Sequence, residues 1–136
     1  MRLQAATLML AGCALLGLAG SALAGTQVTN LDTAETFATI QAAIDDADTL
    51  DGHTLEMLVA SHATPELQIT FSKSLTLQGA AGGTTLTPTM DTGTSGDARG
   101  WFLVPLLKTV TFQNLTFDGT GSLIHTGIRN DGESPS

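Results

Sequence analysis

From residue 54 onward, apolar residues come in short runs, many of them alternating with polar neighbours, and this pattern most narrows what the chain can fold into. Leu67, Ile69 and Phe71 alternate with polar neighbours, as do Leu75 and Leu77, Val110 and Phe112, and Leu115 and Phe117. Residues 54–60, 84–87, 101–104 and 122–124 supply four more short runs. A period of two sends successive side chains to opposite faces of a strand, so each run has an apolar and a polar face. Turn signals separate the runs: Asp51 with Gly52, residues 79–83, residues 118–121, and a loop at 88–100 rich in Thr, Gly, Asp and Ser. Many short strands joined this way predict an all-β fold, as a sandwich, a barrel or a solenoid. The spacing favours the solenoid. Leu55 and Met57 precede Leu75 and Leu77 by 20 residues, and these precede Leu115 and Phe117 by 40, which fits two coils if the 88–100 loop belongs to the intervening one. Stacked strands at about 4.8 Å would then share one apolar interior.

One segment breaks the pattern. Phe37, Ile40, Ile44 and Ala47 fall on one face of a helix over residues 35–47. Asp32 is the expected N-cap, with Glu35 three residues later as in a capping box. Asp51 and Gly52 end the segment. Residues 25–33 read as an entry strand or linker.

Residues 1–24 read as a signal peptide rather than as part of the fold. Arg2 is followed by an uncharged apolar stretch, and Ala22 and Ala24 give the small-x-small pattern before Gly25. An alternative lies inside it: Leu10, Ala11, Gly12 and Cys13 resemble a bacterial lipobox, which would anchor the chain by lipid at Cys13. Cleavage after Ala24 leaves 112 residues and removes the single Cys, so no disulfide staples the fold. Either route implies a secreted or cell-envelope location. Thirteen Asp and Glu against five Lys and Arg leave nothing to neutralise phosphates, which excludes nucleic acid as a partner.

Two motifs give a resemblance. Phe37, Thr39, Ile40, Gln41, Ala43, Ile44 and Asp45 stand in the order of an F-x-T-I-Q-x-A-I-D opening. Ile69, Lys73, Ser74, Leu75, Thr76, Leu77 and Gly79 match a segment of the type I-x-I-x-K-S-L-T-L-x-G. Residues 109–119 look like a further coil. Over residues 36–128 the chain resembles the N-terminal portion of right-handed parallel β-helix proteins of the pectin-lyase-like superfamily. The resemblance implies a right-handed parallel β-helix of a few coils, closed at its N-terminal end by a short capping helix. It implies two functions: an exported, non-catalytic module for cell-surface adhesion or carbohydrate binding, or the opening fragment of a pectin esterase or lyase lacking its catalytic coils. Residues 61–65 replace the family's Gly-x-Tyr turn, Glu66 keeps its acidic position, and no match to the esterase carboxylates and Arg is found. Residues 25–136 therefore read as a cap and the first four or so coils, truncated at the C-terminus, with an open last coil expected to self-associate.

Little else carries chemistry. His53, His62 and His125 have no metal-ligand spacing, and His62 is expected at a solvent-exposed turn. The G-x-S-x-G signature is absent. Asp45, Asp46, Asp48 and Asp51 read as a solvated acidic face rather than a cation site. Asn114, Leu115 and Thr116 form a glycosylation sequon, but Asn114 fits a turn between coil strands better, its side chain bonding the backbone. The candidate ligand contacts are Asp91 and Asp97, whose loop could offer oxygens to Ca²⁺ but lacks EF-hand spacing and reads first as a flexible polar loop between coils, and Trp101, which is expected in the core unless it offers a ring for sugar stacking. No cofactor or metal is expected, and the partners expected are a polysaccharide or cell-surface glycan.

Overall fold

The computed structural model describes residues 26–92 and 100–131. The signal-peptide reading of residues 1–24, the lipid-anchor reading of Cys13, and Asp97 lie outside the described residues.

The fold is all-β with one short helix. In chain order the elements are β1 Val28–Asn30, β2 Thr36–Phe37, α1 Ile40–Asp45, β3 Thr54–Met57, β4 Ser61–Thr64, β5 Ile69–Thr70, β6 Leu75–Gln78, β7 Thr84–Pro88, β8 Phe102–Val104, β9 Val110–Gln113, β10 Leu115–Phe117 and β11 Ile128–Asn130. From β3 onward the chain deals its strands into three sheets in a fixed rotation. β3, β6 and β9 share the first sheet, β4, β7 and β10 the second, and β5, β8 and β11 the third. Every pairing within these three sets is parallel. β1 runs antiparallel to both β2 and β3.

The alternation sets the inside and the outside. Leu55, Leu77 and Phe112 stand in register in the first sheet, and His62, Leu86 and Phe117 in the second. Ile69 and Phe102 do so in the third. With α1 they enclose one core that includes Val28, Ile40, Ile44, Phe71 and Trp101. Burying each such side chain stabilises the fold by about 1.5–3 kcal/mol. The core ends in an aromatic cluster, in which Phe102 stacks on Phe71 and meets Phe112 and Phe117 edge-on.

The register corrects the sequence spacing. Leu55 faces Leu77, 22 residues on. Leu75 faces Val110, 35 residues on, so a single circuit and not two separates these runs. Leu115 lies in a different sheet, beside Thr84. The connecting loops are unequal, which is why a constant repeat length misleads. One pass of three strands through the three sheets is called a circuit, and β3–β5, β6–β8 and β9–β11 make three such passes among the described residues. The run at 122–124 is not a strand; β11 closes the third circuit instead.

The helix is also shorter than its apolar period. Thr36 and Phe37 form β2, which covers the outer side of β1. Helix geometry starts at Ile40, with Thr39 as N-cap accepting from the Ala42 N–H at 3.1 Å. Asp32 serves elsewhere, accepting from the Thr54 N–H at 2.8 Å. Gln41 then does a strand's job. Its Oε1 accepts from the Thr70 N–H at 2.8 Å and its Nε2 donates to the Thr70 carbonyl at 3.2 Å. Ile69 and Phe71 spend their N–H groups on β8, so Thr70 faces away from that strand and the carboxamide occupies its free edge. β1 covers β3 in the same way. At the N-terminal end α1, β1 and one amide side chain thus cover the core and the edges of β3 and β5, while the edge of β4 has no strand over it among the described residues.

Candidate functional site

Trp101 is 1% exposed. Its Nε1 donates to Thr64 Oγ1 at 2.9 Å, and its ring meets Phe102 and Phe117. It therefore packs in the core and presents no open face on which a sugar ring could stack. Asp91 is exposed, but its Oδ1 accepts from the Leu123 N–H at 2.7 Å. The adjacent Thr92 N–H donates to the Leu123 carbonyl, and Thr92 Oγ1 accepts from the His125 N–H. Together they clasp residues 123–125 of the third circuit onto the second. The polar loop begins with a structural clamp.

The acidic residues are mostly occupied as well. Asp45 accepts from Gln41 Nε2, Asp46 from the Asp48 N–H, and Asp51 from the Ser74 N–H. Glu35, Asp46 and Asp48 bring carboxylate oxygens within 4.8 Å of one another at the surface. Asp51 also pairs with Lys108 at 3.5 Å. The bond from Ser74, and secondarily Lys108, holds the Asp51 carboxyl below its ordinary range. Bonds from Thr120 do the same for Asp118.

His62 overturns its expected exposure. Residues Ser61–Thr64 form β4 rather than a turn, and His62 and Thr64 point inward while Ser61 and Ala63 point out. His62 is 3% exposed. Its Nδ1 lies 3.1 Å from Gln27 Oε1; a carbonyl oxygen only accepts, so Nδ1 carries the proton and Nε2 the lone pair. Among the described residues that Nε2 finds no partner, nor does Glu66 Oε2. A cavity of about 520 Å³ adjoins His62, lined by Gln27, Ala38, Thr39, Ser61, His62, Ala63 and Pro65. Sequence reading missed this because both inward positions of β4 are polar. The signal was present in the alternation of large and small residues over 61–64.

Burial pushes the His62 pKa below its usual 6.5, and the nearby Glu66 charge opposes this in part. In the unfolded chain His62 binds a proton near pH 6.5, whereas the folded chain resists until lower pH. This contribution to stability is therefore full well above pH 6.5 and is lost as pH falls below it toward the lowered folded-state value. Denaturant titrations should show stability falling as pH drops through 6.5, and His62→Gln should flatten that limb. An equally steep limb in the variant would assign the loss to other groups.

The most regular polar surface is the outer face of the first sheet. Thr54, Thr76 and Thr111 stand side by side in register, and Glu56, Gln78 and Gln113 form the next row. Gln78 Nε2 donates to Glu56 Oε1 at 3.0 Å, which fixes that row. A groove of about 220 Å³ lies at one end, lined by Gly52, Ser74, Leu75, Thr76, Thr109 and Thr111. Ser74 Oγ accepts from the Thr109 N–H at 3.0 Å and holds the two circuits together there. The face offers hydroxyls and amides, which both donate and accept hydrogen bonds, and the Glu56 carboxylate, which accepts, at strand spacing.

No family model, curated protein or solved structure matches the chain. No helix among the described residues is long and apolar enough to cross a membrane.

Proposed function

We propose that the chain is an exported, non-catalytic module built as a right-handed parallel β-helix of the pectin-lyase-like kind, with the outer face of its first sheet as a contact surface for a polysaccharide or cell-surface glycan. Support for the architecture comes from the fixed rotation of strands through three parallel sheets. The two sequence motifs add to it: the first supplies Gln41, which covers the β5 edge, and the second runs from β5 through β6.

The observation that carries the function is the pair of registered rows, Thr54 with Thr76 and Thr111, and Glu56 with Gln78 and Gln113. A periodic set of hydroxyls and amides suits a periodic, uncharged polyhydroxyl ligand. Each contact is worth about 1 kcal/mol, so affinity would come from repetition along the polymer.

Retention on immobilised polysaccharides and on whole cells tests the reading. The double substitution Thr76→Ala with Thr111→Ala should weaken retention by roughly tenfold or more, from about 0.7–1 kcal/mol per lost bond, with the fold retained because both side chains point outward. No retention on any glycan, or equal retention by the double variant, overturns it.

A further inference from the structure

The two ends of the strand stack are finished differently. At the N-terminal end, β1 covers β3 and Gln41 covers β5. At the other end β9 pairs only with β6, and β10 only with β7. Leu75 donates its N–H to the Thr109 carbonyl and Gly79 to the Gln113 carbonyl, so the residues of β9 that face β6 are Thr111 and Gln113. Val110 and Phe112 consequently turn their N–H and C=O groups the other way. The bonds from Thr84 to Asn114 and from Asp118 to Leu86 leave Leu115 and Phe117 facing outward in β10 by the same rule. Among the described residues no strand pairs with these groups.

The side chains agree with the backbone. One layer in, Leu75, Leu77 and Leu86 are buried. The same inward positions in the last circuit, Val110, Phe112, Leu115 and Phe117, are only half-buried, and Ile128 opposite Phe102 is 44% exposed. Whatever covers this end must supply strand edges and apolar side chains at once.

We infer that a second copy of this chain covers it, tail to tail across a two-fold axis, with edges of the last circuits pairing antiparallel and the half-buried Phe112 and Phe117 closing over one another. This goes beyond the glycan reading and does not depend on it. Head-to-tail stacking would need the edges of all three first-circuit strands, and β1 and Gln41 already occupy those of β3 and β5, leaving only that of β4. Charge disfavours head-to-head contact. Residues 26–66 carry eight Asp and Glu and no Lys or Arg, with Lys73 and Lys108 reaching them only at Asp46 and Asp51, whereas the described residues of the last circuit balance Asp118 and Asp131 against Lys108 and Arg129. Two heads would meet with strong like charge, and two tails meet almost neutral. An isologous contact also closes after two copies and leaves no growing edge.

Sedimentation velocity of the full chain, expressed with its own N-terminal segment, should give a monomer–dimer equilibrium that shifts with concentration. Ile128→Lys should move it to monomer, because a charged side chain at an open edge blocks pairing. In a Cys13→Ser background, a short bis-maleimide should cross-link Gln113→Cys dimers and leave Thr33→Cys, at the other end, uncross-linked. Cross-linking decides the matter even if Ile128→Lys fails to fold. A concentration-independent monomer, cross-linking through Thr33→Cys, or an open-ended series of oligomers overturns the inference.

Discussion

Gly79→Ala is expected to destabilise the protein by on the order of 3 kcal/mol, at the upper end of overpacking effects, and so to lower Tm by more than about 10 °C. Gly79 is the buried residue that follows β6 at the corner between the first and second sheets. A Cβ there would stand 2.1 Å from the Asn114 carbonyl oxygen and 2.8 Å from the Thr84 nitrogen. Both are backbone atoms, so no rotation of a side chain makes room. Both are also committed: the Thr84 N–H donates to the Asn114 carbonyl at 3.1 Å, and the Gly79 N–H donates to the Gln113 carbonyl at 2.9 Å. Asn114 sits at φ 54° and its Nδ2 donates to the Ala80 carbonyl at 2.6 Å, which fixes the direction of its own carbonyl. The corner cannot yield without parting the third circuit from the second. Gly82→Ala is the internal control, since its Cβ would meet nothing within 4 Å. It should stay within about 0.5 kcal/mol of the parent. Equal chemical denaturation curves for the two variants would falsify this account of the corner.

That corner also marks what the sequence made legible. Asn114 read as a turn residue bonding the backbone, and it does so. The strands at residues 75–78, 110–113 and 115–117 followed from alternation alone, because their inward residues are apolar. β4 escaped because His62 and Thr64 point inward with polar heads, made tolerable by Gln27 and by Trp101 Nε1. The long helix failed for the opposite reason. Phe37 satisfies a helical period, yet its backbone is needed in β2 against β1, and tertiary pairing overrides a local pattern. Of the candidate contacts, Trp101 and Asp91 turned out to hold the fold. The rows on the first sheet were invisible because register, unlike period, depends on loop lengths that no single run reveals.

Trp101→Ala should cost about 4 kcal/mol, within the usual range for emptying an aromatic site in a core. Against a total stability of about 5–15 kcal/mol this leaves a marginal domain. Two losses combine. The ring leaves contacts at 5.1 Å to Phe102 and 5.9 Å to Phe117, and Thr64 Oγ1 loses the indole donor while keeping its own bond to the Thr87 carbonyl. Trp101→Phe separates them: it keeps most of the packing and removes only the donor, so it should cost about 1–2 kcal/mol. A double-mutant cycle with Phe117→Ala should then couple by about 0.5–1.5 kcal/mol, because the two rings meet edge to face across consecutive circuits. The alternative in which Trp101 contacts a sugar makes the opposite forecast, with retention on glycans lost and the unfolding midpoint unmoved. Near-additive costs for the pair would place Trp101 outside the aromatic cluster. Coupling of the expected size would mean that the successive circuits are locked by their shared rings as well as by their strand edges.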